Sequence, residues 1–385
     1  MIERKHSTYF IAFFFYLVVT TDFIYKYSRF YLVQEVGFLP YIKSIIALII
    51  LSALFLLKSM TRKDIWCCLL LVFSSIIHLI LAQEANSLKT IILFAKYAFG
   101  VIVMVFFFKN YHILSKDVLG KTIVSITILN FCCIFIGYCF EVYVFETYPG
   151  DRFGYNGFFK STSTATYFYM FVITYAIVKA KNVFSNSLVI ISIFSSLFVG
   201  SKSLYAFIFF ISFILITRYV ASKLAFISRK FLYLTSLVFG IVLAFSSLKL
   251  YFNLSTVFNK IVKEQGFVTA FFSFRNLAIE NLLPQLIEKY QFTDLLFGGV
   301  YKVGILTEMA LVDLFLTFGF IGSIIYFYFL SYNFPKIDRP FIQFVLGFAV
   351  LIIVLRGNFL YYPSVIFISS VIFSLTVLES NERTT

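Results

Sequence analysis

Long apolar runs alternate with short polar segments along most of the chain. Most runs cover about 17 to 25 positions, which is enough for an α-helix to cross roughly 30 Å of hydrocarbon. The seventh run is the shortest. The pattern predicts about twelve transmembrane helices, at 9–25, 41–57, 65–81, 88–108, 118–138, 163–178, 188–199, 204–220, 231–251, 309–330, 341–355 and 361–378.

Composition supports this interpretation. Hydrophobic residues make up 61% of the chain and charged residues only 13%, so a polar coat cannot cover a water-soluble core of this size. We therefore predict an all-α, polytopic integral membrane protein whose residues 1–385 form one membrane domain. The net charge of +14 is then explained by membrane topology and acidic lipid head groups, and no nucleic acid partner is expected.

The distribution of cations predicts the orientation. If the N-terminus is inside, every inner segment is basic and the short outer loops are poorer in Lys and Arg, as the positive-inside rule requires. An even number of spans then places both termini in the cytoplasm. The inner cations are Arg4, Lys5, Lys58, Arg62, Lys63, Lys109, Lys116, Lys121, Lys179, Lys181, Arg218, Lys223, Arg229, Lys230, Lys336, Arg339 and Arg383.

A polar patch, PGDRFGYNGFFKST at 149–162, interrupts the apolar pattern. It belongs to the loop 139–162 between the fifth and sixth spans, which this topology places outside. Its three glycines allow the backbone to fit closely around a ligand, although glycines are also ordinary turn residues.

A second loop, 252–307 between the ninth and tenth spans, is too long for a simple turn. Apolar residues from Ile279 to Ile287 follow helical spacing, which predicts an amphipathic helix lying on the membrane or on the helix bundle. Pro284 is expected to bend or divide that helix. The sequence fits a surface-lying helix and a substrate lid equally well.

Ionisable residues within predicted spans are costly and therefore indicate function. In this topology five of them lie in the outer halves of their spans or at the outer rim, so they predict a polar cavity that opens outward. The residues are Asp22, His78, Lys96, Asp313 and Arg356, joined by Lys202 at a hairpin tip and Arg152 in the polar patch.

Arg and Lys side chains near the membrane interface suit an anion whose apolar part stays in lipid, such as a polyprenyl diphosphate. The sequence has no Asp-x-Asp pair, P-loop or dinucleotide glycine motif, and its five cysteines lack metal-site spacing. We therefore expect neither a metal site nor a cofactor.

Three segments carry a family resemblance. DRFGYNGF at 151–158, FVGSKSLYAF at 198–207 and EMALVDLFLTFGFIG at 308–322 occur in this order, with the long loop between the last two. Together they resemble the superfamily of O-antigen polymerases and O-antigen ligases, over roughly residues 150–330. The resemblance implies a GT-C-like glycosyltransferase architecture.

The third segment distinguishes the two branches. Superfamily ligases typically have His, then Asn, Ser or Gln, then nine residues and Gly-x-x-Gly. Here Gly319 and Gly322 keep the spacing, but Glu308 and Met309 occupy the first two places. The missing histidine favours an O-antigen polymerase over a ligase. The two glycines are also compatible with close helix packing alone.

The resemblance implies metal-independent glycosyl transfer, in which a sugar hydroxyl of one lipid-linked repeat unit displaces the polyprenyl diphosphate of another. Arg152 and Arg275 are the candidates that stabilise the leaving diphosphate, and Glu308 is the candidate base. Head-group anchoring by the arginines and helix capping by Glu308 are the alternatives. Further candidate substrate-binding residues are Lys202, Arg356, Asp151 (also the second choice for the base) and Lys160.

The implied setting is the outer face of the bacterial inner membrane. The expected partners are donor and acceptor polyprenyl-diphosphate-linked oligosaccharides, membrane lipids and a polysaccharide chain-length regulator. Two alternatives remain open, a flippase for lipid-linked oligosaccharides and an O-antigen ligase. A flippase needs polar groups accessible from both sides, often between two repeats, and the sequence shows neither feature.

Overall fold

The computed structural model describes residues 2–31, 59–81, 87–148, 152–180, 186–223, 255–304, 306–337, 339–357 and 359–382, with single positions between 42 and 53 and between 242 and 249. These residues form α-helices and two short 3-10 turns. One isolated antiparallel bridge joins Glu146 to Tyr155, and the described residues contain no strand. The all-α prediction is therefore confirmed for this part of the chain.

The described residues form helices in every part of the chain that the structure covers. In chain order they are α1 (Ile2–Tyr31), α2 (Arg62–Leu81), α3 (Ser87–Asn110), α4 (Lys116–Phe140), α5 (Thr162–Lys179), α6 (Ser187–Phe198), α7 (Lys202–Lys223), α8 (Thr256–Phe272), α9 (Arg275–Lys289), α10 (Phe292–Phe297), α11 (Val300–Val303), α12 (Ala310–Asn333), α13 (Pro340–Arg356) and α14 (Pro363–Glu382).

Among the described residues, six helices are long and apolar enough to cross a membrane, namely α1, α2, α3, α4, α12 and α14. Shorter apolar helices are α6, α7 and α13. The seventh predicted run corresponds to α6, which has only 12 residues. Only scattered positions of the predicted spans 41–57 and 231–251 are among the described residues.

Helix α5 is the centre of the bundle. Every side chain from Thr164 to Val178 is buried, because neighbouring elements surround the helix. Helix α14 packs against α5 and α3, and α6 packs against α5 from another direction. One large apolar core therefore runs through the bundle, and a second, small cluster contains Phe258 and Ala270 of α8.

Several polar contacts between helices lie at the two ends of the bundle. At one end, which we call the Asp64 end, the Asp64 carboxylate forms an ion pair with Lys109 and accepts a hydrogen bond from Asn333 Nδ2 at 3.0 Å. At the same end, Lys116 forms an ion pair with Glu379 at 3.5 Å.

At the opposite end, Ser364 donates to the Asp22 carboxylate at 3.0 Å, and Lys96 donates to the Tyr361 hydroxyl at 2.6 Å. In the predicted topology, successive spans cross the membrane in opposite directions. Each of these contacts joins segments that this topology places on the same side of the membrane. Both ends of the described chain lie at the Asp64 end, because α4 begins there against Thr8 of α1 and Glu382 of α14.

The predicted long loop contains the helices α8 to α11 in its described part. Helix α9 includes Leu282, which is buried, and Leu283 and Ile287, which are 51% and 84% exposed. Of the two predicted effects of Pro284, a division of the helix is wrong, since the helix continues from Arg275 to Lys289, and a bend stays a prediction. Helix α8, in contrast, breaks at Gly266, where φ is +85°.

Gly319 and Gly322 lie where α12 packs closely against other helices. Gly319 interrupts α12 with φ +63°, and an added Cβ would overlap the backbone of Leu296 in α10. A Cβ on Gly322 would lie 3.0 Å from the Ser74 hydroxyl oxygen of α2. This geometry agrees with the packing interpretation of the glycine pair.

Candidate functional site

A cavity of about 450 Å³ opens where several connections meet at the end of the bundle opposite Asp64. Its wall combines the polar patch, the start of α5, the α6–α7 hairpin tip, the α8–α9 junction, the turn before α12 and the α13 end. Five of the predicted site residues line it: Arg152, Lys202, Arg275, Glu308 and Arg356. Four cations thus face one carboxylate among the described lining residues.

The polar patch is attached to the bundle by two buried side chains. Lys26 of α1 donates to the Asn156 side-chain oxygen and, at 2.8 Å, to the Gly157 carbonyl oxygen. Asn130 of α4 accepts a hydrogen bond from the Phe158 N–H at 3.0 Å. These contacts fix the part of the patch from Asn156 to Phe158, which follows Arg152 in the chain.

The patch also packs on the α6–α7 hairpin tip. The Tyr155 N–H donates to the Phe198 carbonyl oxygen at 2.6 Å, and Thr147 Oγ1 donates to the Val199 carbonyl oxygen at 3.0 Å. Gly200 has φ +70°, and an added Cβ would overlap the Phe153 carbonyl oxygen. This close approach brings Arg152 and Lys202 to one cavity wall.

Arg152 is held between two aromatic rings. Its guanidinium carbon lies 3.5 Å from the Tyr148 ring centroid and 4.8 Å from that of Phe258 in α8. Its Nε is buried and has no hydrogen-bond partner in the described part of the chain. The ring faces stabilise the positive charge and leave hydrogen-bond donors available.

Arg356 ends α13 inside the cavity. Its Nη1 donates to Thr166 Oγ1 at 2.7 Å and to Ser201 Oγ at 2.6 Å, and Thr166 also donates to Ser201 at 2.9 Å. Within the described ranges it contacts no carboxylate. The hydroxyl pair therefore orients the guanidinium without neutralising it.

Arg275, the first residue of α9, forms an ion pair with Glu308. Its Nη2 lies 2.9 Å from Glu308 Oε2, and its Nε donates to the Glu308 carbonyl oxygen at 3.1 Å. Its Nη1 donates to the Phe272 carbonyl oxygen at 3.3 Å. The Arg275 side chain is 17% exposed and that of Glu308 is 56% exposed.

Glu308 has an unusual backbone conformation. Its φ is +58°, which is strained for a residue with a side chain, and Gly357 packs so closely that an added Cβ would overlap the Glu308 carbonyl. Asp313 fixes the turn by accepting from the Thr307 N–H at 2.7 Å and from Thr307 Oγ1 at 2.9 Å. Two buried contacts therefore maintain the position of Glu308.

Lys202 lies at the hairpin tip, outside the six long apolar helices. Its Nζ donates to the carbonyl oxygens of Ala270 and Phe271 and to Ser273 Oγ, so it caps the C-terminal end of α8. Burial, followed by the positive charges of the three cavity arginines, lowers the pKa of Lys202 to about 7 from 10.5.

The start of α5 adds further donors. Ser161 is the N-cap residue and accepts from the Thr164 N–H at 3.2 Å, while Thr162 and Ser163 line the cavity. The first turn of a helix has free N–H groups and a positive dipole end. The cavity therefore combines cations, hydroxyls and a helix N-terminus, and all three favour an anionic ligand.

Other predicted residues lie elsewhere. Asp151 falls outside the described residues. Lys160 does not line the cavity, and its ammonium lies 3.7 Å from the Tyr25 ring centroid. Asp22 and Lys96 make the helix contacts described above, and His78 packs with its Nδ1 3.3 Å from the Phe297 carbonyl oxygen.

Sequence reasoning missed the residues that position the cations. Tyr148, Phe258, Thr166 and Ser201 are ordinary residue types with no spacing that would indicate their role. Ser201 lies within the segment 198–207, but only the fold shows its contact with Arg356. Asp313 is one of the ionisable residues within the predicted spans, and in the structure it fixes the turn that contains Glu308.

The described residues contain no group of three or more His, Cys, Asp or Glu side chains that could hold a metal ion. Compared with known proteins, the chain matches no family model, no curated protein and no solved structure. The functional interpretation therefore depends on the geometry of the cavity and on the sequence motifs.

Proposed function

We propose that the protein is a glycosyltransferase that polymerises polyprenyl-diphosphate-linked oligosaccharide repeat units, as an O-antigen polymerase does. The observation that carries the proposal is the cavity in which Arg152, Lys202, Arg275 and Arg356 face a single described carboxylate. Guanidinium groups bind phosphate oxygens through paired hydrogen bonds, so this cavity suits a diphosphate.

The cavity also has an apolar wall. Phe348, Leu351, Ile352 and Leu355 of α13 line it at helical spacing, and Arg356 follows directly. A ligand with a charged head and a hydrocarbon tail fits this arrangement, because the head reaches the cations while the tail follows α13. A water-soluble sugar nucleotide would leave the apolar wall unused.

The proposed reaction is a displacement at the anomeric carbon of the donor. A hydroxyl oxygen of the acceptor sugar forms the new bond, the bond between that carbon and the diphosphate oxygen breaks, and its electron pair leaves with the diphosphate. The hydroxyl proton passes to Glu308. Arg152 and Arg275 stabilise the charge that develops on the leaving group.

The proposed reaction also implies the substrates, the orientation in the membrane and a protein partner. Donor and acceptor are both lipid-linked, the site faces the outer side of the bacterial inner membrane, and both termini are cytoplasmic. A polysaccharide chain-length regulator is the expected protein partner. Glu308 at the ligase histidine position favours polymerase over ligase activity.

Arg152→Gln and Arg275→Gln test the proposal. Purified protein with defined lipid-linked repeat units should give a polymer ladder, and each variant should lower the rate by about a hundredfold. In cells, long polymer should disappear while single repeat units still reach the surface.

Lys260→Gln is the matched control, since Lys260 is an exposed α8 cation that does not line the cavity. Unchanged chain length in both arginine variants would refute the proposed roles. Movement of lipid-linked units across the membrane without new linkages would instead identify a flippase.

A further inference from the structure

The cavity arginines differ in their partners. Arg152 lies between aromatic rings and Arg356 is held by two hydroxyls, and neither contacts a carboxylate among the described residues. Arg275 alone of the three is paired with one, Glu308. The arginine that pairs with the candidate base is thus also a candidate ligand for the diphosphate.

Both roles use the same donors. Arg275 directs Nη2 to the Glu308 carboxylate and Nε to the Glu308 carbonyl oxygen, while Nη1 faces the Phe272 carbonyl oxygen. A phosphoryl group that binds Arg275 at the Nη2 N–H that now faces Glu308 displaces the Glu308 carboxylate, while the Nε contact with the Glu308 backbone can remain.

The exchange is energetically feasible. The Glu308 carboxylate is more than half exposed, so its pairing with Arg275 contributes little stability and water can solvate it after release. The Glu308 backbone stays in place, because Asp313 fixes the preceding turn and Gly357 packs against the carbonyl. Only the side chain needs to move.

We propose that Arg275 is a shared subsite: it holds Glu308 when the cavity is empty, and a phosphoryl group of the donor takes its place and frees Glu308 as the base. The inference rests on the proposed function, since it assumes a diphosphate ligand. While Glu308 Oε2 accepts a hydrogen bond from Arg275 Nη2, it is less available to the acceptor hydroxyl than the oxygen of a released carboxylate. Proton abstraction from the acceptor is thereby coupled to donor binding.

Titration calorimetry with inorganic pyrophosphate and full-length protein in lipid nanodiscs tests this exchange. Because Glu308→Gln removes the competitor for Arg275, it should bind pyrophosphate roughly three- to tenfold more tightly than the unsubstituted protein. It should also lose polymerising activity. A purely structural role of Glu308 predicts weaker or equal binding instead.

Two further variants show whether competition for Arg275 causes the tighter pyrophosphate binding of Glu308→Gln. In an Arg275→Gln background, Glu308→Gln should change the affinity by less than about twofold, because the competition no longer exists. Glu280→Gln is the matched control, since it removes the same charge from an exposed position of α9. It should leave the affinity nearly unchanged.

The outcomes separate this inference from the proposed function. If pyrophosphate binds but Glu308→Gln binds no more tightly, or if Glu280→Gln has the same effect, the exchange is refuted and the diphosphate cavity stands. If the unsubstituted protein and Glu308→Gln both fail to bind, the diphosphate assignment is refuted and the exchange with it.

Discussion

Arg356 shows how a single residue of the cavity is prepared for an anion. Two hydroxyls, from Thr166 in α5 and Ser201 at the hairpin tip, accept hydrogen bonds from one of its nitrogens. Neutral acceptors fix a guanidinium and keep its full charge, whereas a carboxylate would cancel that charge. Orientation and charge can therefore be tested separately at this residue.

Replacing Thr166 by Val and Ser201 by Ala together should release Arg356 without removing its charge. We expect kcat for glycosyl transfer to fall by about ten- to a hundredfold while the donor KM changes much less, because a misplaced charge stabilises the leaving group poorly. Steady-state kinetics with a defined lipid-linked donor measures both values.

Thr174→Val is the control for that pair. Thr174 is buried in the same helix and donates to the Met170 carbonyl oxygen, away from Arg356. Equal losses in the control and the double variant would show that Thr166 and Ser201 only support packing.

At the scale of helices, the cavity depends on where elements end. Helix α13 ends at Arg356, and Gly357 then adopts φ +72° and packs against the Glu308 turn that precedes α12. The end of one helix thus sets the position of the candidate base at the start of another. A side chain at residue 357 would disturb both the end of α13 and the turn that contains Glu308.

Gly357→Ala should lower the free energy of unfolding by about 1 to 3 kcal/mol, because the left-handed conformation is strained for Ala and the Cβ overlaps Glu308. Thermal unfolding in detergent, at one scan rate, measures the change. Gly347→Ala in the middle of α13 is the matched control, since its Cβ would have no atom within 4 Å.

The control should keep or slightly raise the unfolding temperature. Ala is favoured over Gly within a helix by about 0.5 to 1 kcal/mol, which sets the expected gain in the free energy of unfolding. If Gly357→Ala is as stable as Gly347→Ala, the packing of Gly357 on Glu308 does not constrain the site.

Helix positions were predictable because an apolar run of sufficient length must form a helix in lipid. The predicted runs at 118–138 and 163–178 coincide with α4 and α5 to within a few residues. The effect of Pro284 was not predictable, since whether a helix breaks at proline depends on its surroundings. The break at Gly266 likewise had no signal in the apolar pattern.

At the scale of the whole molecule, the bundle has two chemically different ends. The Asp64 end contains buried and surface ion pairs, while the opposite end contains the cation-rich cavity. The cation count of the sequence predicts that the Asp64 end faces the cytoplasm. The proposed reaction requires the cavity to face outward.

Cysteine labelling tests this orientation. In a background without the five native cysteines, a membrane-impermeant maleimide should label Glu288→Cys at the end of α9 in intact cells. It should label Asp117→Cys at the start of α4 only after the membrane is permeabilised. Both positions are exposed in the structure. The reverse labelling pattern would contradict the orientation and the proposed reaction.

The sequence alone determined the class of protein, the position of most helices and the residue types at the candidate site. Apolar length and cation distribution are local properties, so they can be read from the chain directly. Only the tertiary structure decided which of the cations share a cavity. It placed Arg152, Lys202, Arg275 and Arg356 together and Lys160 apart, because contacts between distant segments depend on packing that spacing along the chain does not encode.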